Sequence, residues 1–341
     1  MNSIKVIVLD AETPYGRGVQ YGQRAKEEIG HSIEYYRKKF EKNPGWEKII
    51  EFSREFVQTS KEFSSEAMEE IQGIADGSGY DVREIMAVNA RYELSQFDWQ
   101  KECTTGVFFD KSNGKNYIFK NCDLGFDVKP HLVILHIIGK DGFRALGITE
   151  AGQLVRDGYN NCGVALVNSA LRSTEDHAGI AVPGTIVRKK VWESRNFSQA
   201  CAIQRNLHRT VSTNMLVADK YGNAVDFECY PGGEDEVTPK DGIISTGNRF
   251  TVNPERNKKN DPEIDRGLRL RQLLEDRRND ICAETIMEIL RDHEGYPYSI
   301  CRHDHEEKLG TVYSVIINMT DDKIYICLGN PCESAYEEYD L

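Results

Sequence analysis

The chain has 341 residues, 39% of them apolar and 29% charged, which suits a folded globular protein and excludes a disordered one. Its formal net charge of −12 argues against a nucleic-acid binder, which needs a basic stripe to displace counterions. No apolar run approaches the roughly 18–20 residues of a membrane helix, and the segment Met1 to Leu9 is too short and too strand-like for a secretory signal.

Nine cysteines are scattered along the chain (103, 122, 162, 201, 229, 282, 301, 327 and 332) without a C-x-x-C pair. An odd, dispersed set fits free thiols in a reducing cytoplasm better than a disulfide framework or a zinc site. His303 and His305 lie two apart in a polar stretch, which reads as a solvated loop. The expectation is a cytoplasmic protein with no metal, no membrane and no nucleic-acid partner.

In chain order, Ser3 to Leu9 reads as a strand, and a helix is expected from about Val19 to Phe40. The glycines at 16, 18 and 22 lack the spacing and the acidic partner of a dinucleotide fingerprint and read as close-packing positions. Helical patterns continue over Trp46 to Phe63, Ser65 to Ala75 and Val82 to Leu94, with Gly77 to Gly79 as a stop.

The pattern changes at Cys103. Thr104 to Phe109 and Tyr117 to Asn121 read as strands joined through Asn113-Gly114, a strong hairpin signal. Leu132 to Ile138 and Phe143 to Ile148 form a second hairpin, and Val164 to Asn168 a further strand. Helices near Thr185 to Glu193 and Ser198 to Leu207 precede a hairpin of Asn214 to Ala218 with Ala224 to Cys229. After a strand at Ile243 to Thr246 come a loop at Asn253 to Asp265 and helices near Arg266 to Leu274 and Ala283 to Asp292. The last hairpin pairs Val312 to Asn318 with Lys323 to Leu328. Hairpins with helices inserted in pairs predict an α+β protein of two stacked antiparallel sheets covered by helices on both outer faces.

A cysteine opening a strand at such a break is either a packing residue or a nucleophile. Glu102-Cys103-Thr104-Thr105 resembles the cleavage and nucleophile site of the acyl-CoA:6-aminopenicillanate acyltransferase family, the peptidase C45 group of N-terminal-nucleophile (Ntn) hydrolases. The resemblance runs through Gly16 to Gly22, Ile71 to Ala75, Asn89 to Glu93, Asn121-Cys122-Asp123, Ile148 to Gly152, Asn161 to Ala165 and Tyr298 to Arg302. It implies a four-layer αββα sandwich, with residues 1–102 as a mostly helical pro-segment or α-subunit and 103–341 as a β-subunit, together one domain.

It also implies autocatalytic cleavage of a zymogen between Glu102 and Cys103. The freed α-amine, with a reference pKa of about 7.7–8.0, would serve as base for a thiol of about 8.5. By resemblance, Asp123 orients the amine, Asn248 steadies the oxyanion and Arg302 lies close by, pairing Asp123 or a substrate carboxylate. Thr105 and Ser299 are weaker candidates for substrate contact. From the residues alone, Asp123 can also be a turn aspartate, Asn248 a loop asparagine and Arg302 a surface arginine. Cys122, Cys162 and Cys301 read as small buried residues.

The implied activity is hydrolysis or transfer of an acyl group from a small amide or peptide-like substrate, through an acyl-thioester, without a cofactor. Acyl-CoA is the donor if transfer is the reaction. The processed halves are expected to remain together as a heterodimer, with a higher oligomer left open. One departure keeps an alternative alive: the penicillin enzyme has glycine before its nucleophile, whereas Glu102 stands here, so the chain can instead be an unprocessed, silent binder of small amides or peptides. A papain-like protease lacks its local signature and a histidine partner.

Overall fold

The computed structural model describes residues 4–42, 44–94, 102–110, 114–258, 265–303 and 309–341, so that Asn113, His305 and part of the expected 253–265 loop lie outside the described residues. The amino-terminal part comprises β1 (Lys5–Leu9), α1 (Pro14–Arg24), α2 (Lys26–Phe40), α3 (Trp46–Ser53), α4 (Glu55–Phe63), α5 (Ser65–Ser78), α6 (Val82–Asn89) and α7 (Arg91–Leu94). Next come β2 (Glu102–Phe109), β3 (Asn116–Gly125), β4 (Leu132–Ile138), β5 (Arg144–Glu150), β6 (Asp157–Asn160) and β7 (Val164–Ala170). Helices α8 (Gly184–Trp192) and α9 (Phe197–Gln204) lead to β8 (Thr213–Asp219), β9 (Ala224–Tyr230), β10 (Gly233–Val237) and β11 (Ile243–Thr246). The chain closes with α10 (Arg266–Asp276), α11 (Ala283–Ile289), β12 (Leu309–Asn318), β13 (Lys323–Leu328) and β14 (Tyr336–Asp340).

The strands form an eight-stranded sheet, β1-β4-β5-β6-β7-β8-β9-β10, and a six-stranded sheet, β11-β2-β3-β12-β13-β14. Alternation along each strand sorts the side chains into three cores. Ile134, Ile148, Val167 and Leu216 of the larger sheet meet Val107, Ile118, Val315 and Ile326 of the smaller one. On the opposite face of the larger sheet, Leu135, Leu166 and Val217 pack against Ile29, Ile74, Val88 and Trp192. The outer face of the smaller sheet, through Phe108, Phe119 and Ile316, packs on Leu270, Leu274 and Ile286. This is the expected α+β architecture, a four-layer αββα sandwich of two sheets. One pairing departs from the antiparallel expectation: β1 runs parallel to β4 at the sheet edge.

The early glycines have the packing role expected of them. Helices α1 and α5 cross so closely that a Cβ on Gly18 would lie 2.1 Å from the Glu70 carbonyl oxygen, and one on Gly73 2.2 Å from that of Tyr15. Only hydrogen fits at that crossing.

Several elements differ from the sequence reading. The first helix begins at Pro14, with Thr13 Oγ1 accepting the Gly16 N–H at 3.0 Å, and the chain breaks at Ala25 before α2. The span 46–63 is likewise two helices, and 82–94 divides into α6 and α7. Strands β6, β10 and β14 carry no alternating apolar pattern. The sequences of β10 (GEDEV) and β14 (YEEYD) are those of sheet edges, where charge blocks unwanted pairing. Among the described residues, no helix is long and apolar enough to cross a membrane.

Candidate active site around Cys103

The hairpin of β2 and β3 places the candidates by register. Cys103 lies opposite Cys122, Glu102 opposite Asp123, and Thr105 opposite Lys120. Opposed residues of an antiparallel pair share a face, and the face alternates along the strand. The side chains of Cys103, Thr105, Cys122 and Lys120 therefore turn toward the inter-sheet space. Asp123 and Asn121 turn toward the helices, where Asn121 Nδ2 donates to the carbonyls of Leu290 and Ile300 at 2.8 and 2.9 Å.

Polar groups converge on the backbone nitrogen of Cys103. Its N–H donates to Asn248 Oδ1 at 2.8 Å, and Arg266 Nη2 donates to the same oxygen at 2.8 Å. Asn248 Nδ2 donates to the Ala170 carbonyl at 2.8 Å, so two donors and one acceptor fix the orientation of the amide. Strand β11 brings Asn248 there by pairing Thr246 with Thr105. Arg266, the first residue of α10, also donates to Asp123 Oδ2, and Thr311 Oγ1 donates to Asp123 Oδ1 at 2.8 Å. Asp123 is fully buried, so its charge needs these partners.

The thiol side is different. Cys103 is 3% exposed, and it faces Cys122 across the hairpin in the same buried cluster. Behind the pair, Lys120 Nζ is held between the Asp157 oxygens at 3.0 and 2.8 Å, and Arg156 Nη1 lies 3.8 Å from Cys122 Sγ. Tyr313 also donates to Asp157. Burial pushes the Lys120 ammonium toward neutrality, but Asp157 and the two thiols outweigh it and hold the charge. Burial and the facing Cys122 thiol push the Cys103 thiol well up. For Cys122, burial is outweighed by the Cys103 thiol, Lys120 and Arg156, and its pKa falls to about 7. Two facing thiols share one negative charge, so the first proton leaves the pair easily and the second with difficulty.

The structure thus brings Cys103, Asp123 and Asn248 together, with the backbone of Glu102 opposite Asp123. Arg302 stands one step back. Its guanidinium lies 4.9 Å from the Tyr298 ring centroid, and its backbone N–H donates to Thr311 Oγ1 at 3.0 Å. Arg266 makes the ion pair with Asp123 that the sequence reading offered to Arg302. Ser299 is buried and donates to the Cys301 carbonyl at 2.7 Å, a local bond within its own loop. Thr105 is buried, and among the described residues its hydroxyl has no partner.

Sequence reasoning missed Arg266, Lys120, Arg156 and Asp157, and took Cys122 for packing. One signal was present: Lys120 interrupts an apolar strand at the inward parity of Cys122. Arg266 and Arg156 carried no such mark, because their partners are distant in sequence.

Solved structures to which this chain is similar include a mutant of a conjugated bile acid hydrolase from Clostridium perfringens, at 14% identity. That match covers 70% of this chain and 97% of that one with a TM-score of 0.42. Penicillin V acylase from Agrobacterium tumefaciens is 11% identical, covering 66% and 83% of the two chains with a TM-score of 0.41. No curated protein matches the sequence. A family profile does, over residues 110–333, and by that match the chain belongs to the acyl-coenzyme A:6-aminopenicillanic acid acyl-transferase family.

Proposed function

We propose that this protein is an N-terminal-cysteine amidohydrolase or acyltransferase that generates its own nucleophile by cutting the Glu102–Cys103 bond. The observation that carries the reading is the division of Cys103 between two environments. Its nitrogen sits among Asn248, Arg266 and Asp123, while its thiol sits beside Cys122 and the fixed cation Lys120.

In processing, the thiol attacks the Glu102 carbonyl carbon, the peptide C–N bond breaks, and the nitrogen leaves as an amine with the thiol proton. Water then hydrolyses the thioester, giving a Glu102 carboxylate and a free Cys103 α-amine. Asn248 Oδ1, already the acceptor of that N–H, keeps the amine in place, and the Asp123–Arg266 pair fixes the polar cage around it. In turnover, the neutral amine takes the thiol proton and the thiolate attacks a substrate amide carbonyl. The ammonium returns the proton to the departing amine. One Asn248 Nδ2 hydrogen meets the Ala170 carbonyl, and the other is the donor suited to the oxyanion. Water, or an acceptor amine, releases the acyl group. The substrate class is a small amide or acylated amino compound, with acyl-CoA as the donor in the transferase version. The pieces 1–102 and 103–341 stay together as a heterodimer, because β1 is hydrogen-bonded to β4 and α2, α5 and α6 share a core with the larger sheet.

A second reading, an unprocessed binding protein, is favoured by the elevated Cys103 thiol pKa and by Glu102 before it. Denaturing mass spectrometry separates the two. Processing gives fragments of 102 and 239 residues (341 − 102), whereas the silent reading gives the intact chain. Cys103→Ala is expected to abolish both cleavage and turnover. Cleavage after residue 102 in that variant refutes self-processing.

A further inference from the structure

Away from this site, four ligand-type side chains meet at one point. His293, Cys301, His303 and Cys332 bring one ring nitrogen or sulfur each to within 4.8 Å of all the others. His293 Nε2 and His303 Nε2 are 3.0 Å apart, and the two sulfurs 3.5 Å apart. His303 Nε2 lies 3.2 Å from Cys332 Sγ and 3.9 Å from Cys301 Sγ.

These separations are close to the edges of a metal tetrahedron. With zinc–sulfur bonds of about 2.3 Å and zinc–nitrogen bonds of about 2.0–2.1 Å, tetrahedral angles put two sulfurs about 3.7 Å apart, sulfur and nitrogen about 3.6 Å, and two nitrogens about 3.3 Å. The surroundings are also those of a metal centre. Asn330 Nδ2 donates to Cys301 Sγ at 3.7 Å, the type of N–H···S contact that steadies a thiolate. The Glu333 carboxylate lies 3.6 Å from Nδ1 of His303, on the opposite side of the ring from the cluster. A carboxylate there orients the imidazole and fixes its tautomer for metal binding.

We infer that His293, Cys301, His303 and Cys332 bind a zinc ion in a closed, structural Cys2His2 site. Two thiolates and two imidazoles select a soft, tetrahedral cation over magnesium or calcium, and four protein ligands leave no open position for catalysis. The site ties the segment after α11 to the loop between β13 and β14. It also borders the candidate active site: Cys301 precedes Arg302, whose N–H holds the Thr311 hydroxyl that donates to Asp123. Zinc therefore braces the strap that supports Asp123. The spacing hid this site, because the ligands span residues 293 to 332 without a C-x-x-C or H-x-x-x-H pair.

The test is metal analysis of the full chain purified under reducing conditions and dialysed against zinc, then against metal-free buffer. About one zinc per chain is expected, with loss of most of it in Cys332→Ser and in His303→Ala, but not in the control Cys282→Ser. Should those variants fail to fold, cobalt added to the unsubstituted zinc-free chain decides the matter. Thiolate-to-cobalt charge transfer together with intense tetrahedral d–d bands supports the site. Absence of bound zinc and of that spectrum overturns it. So does retention of zinc in folded Cys332→Ser, or a Cys301–Cys332 disulfide in non-reducing peptide maps. None of these readouts depends on processing or turnover.

Discussion

The backbone N–H of Cys103 donates to the side-chain oxygen of Asn248 at 2.8 Å, bridging 145 positions of sequence. One end of the asparagine amide holds the nitrogen that processing would free, and the other is anchored on Ala170. Asn248→Ala is expected to lower the rate constant of turnover about 10²–10³-fold and to slow self-cleavage, with the circular dichroism spectrum unchanged. Single-turnover assays and gel analysis of processing measure both effects. An unaltered rate removes Asn248 from the mechanism.

Arg266 and Asp123 form a buried ion pair, 6% and 0% exposed at their side chains. Removing the cation alone takes the Arg266 charge away from a buried carboxylate, so Arg266→Met is expected to cost about 3–5 kcal/mol. Adding Asp123→Asn to that variant removes the carboxylate charge and recovers much of the loss. Urea denaturation of the three variants tests this; a loss below about 1 kcal/mol in Arg266→Met contradicts it.

The Cys103–Cys122 pair predicts a pH dependence. The folded pKa of Cys122, about 7, lies below the unfolded thiol value of about 8.5. Its contribution to stability is therefore present above about pH 8.5 and is lost as pH falls through 7. The raised Cys103 thiol acts in the opposite sense, opposing folding only above about pH 8.5. The stability advantage of the parent over Cys122→Ala should accordingly grow between about pH 6 and 8.5. A flat difference across that interval, measured in urea, would show that the thiols do not share a charge.

Asp226 offers a cleaner titration. Burial raises its pKa to about 7, against the weaker pull of a hydrogen bond from Asn214 and with a push from Glu228. Asn214 Nδ2 donates to Asp226 Oδ2 at 2.7 Å, while Asn214 Oδ1 and Asp226 Oδ1 lack partners among the described residues. A protonated Asp226 can donate to Asn214 Oδ1 and satisfy both. Because the folded pKa exceeds the unfolded value of about 3.9, this acid progressively reduces stability as pH rises from about 3.9 to 7. Asp226→Asn mimics the protonated form and is expected to stabilise the protein by about 1–3 kcal/mol at pH 8 and by little at pH 4. Thermal unfolding at the two pH values reads the difference.

What was legible in the sequence was local. Alternation and helical spacing located most strands and helices, and the change of pattern at Cys103 fell at the start of strand β2. Edge strands such as β10 and β14 escaped, because they are held by backbone pairing and show charge to solvent. Asp123 and Asn248 came from motif order, while Arg266, the residue that joins them, did not.

By itself the sequence determined the layered α+β architecture and singled out Cys103 as the residue at which the pattern changes, since hydrophobic periodicity and turn chemistry act over a few residues. Only the tertiary structure decided which charges surround that cysteine. Strand register set Cys122 opposite Cys103, helix α10 delivered Arg266 to Asp123, and two distant segments brought His293, Cys301, His303 and Cys332 together. Such contacts depend on the packing of whole sheets and helices, which no local window of residues encodes.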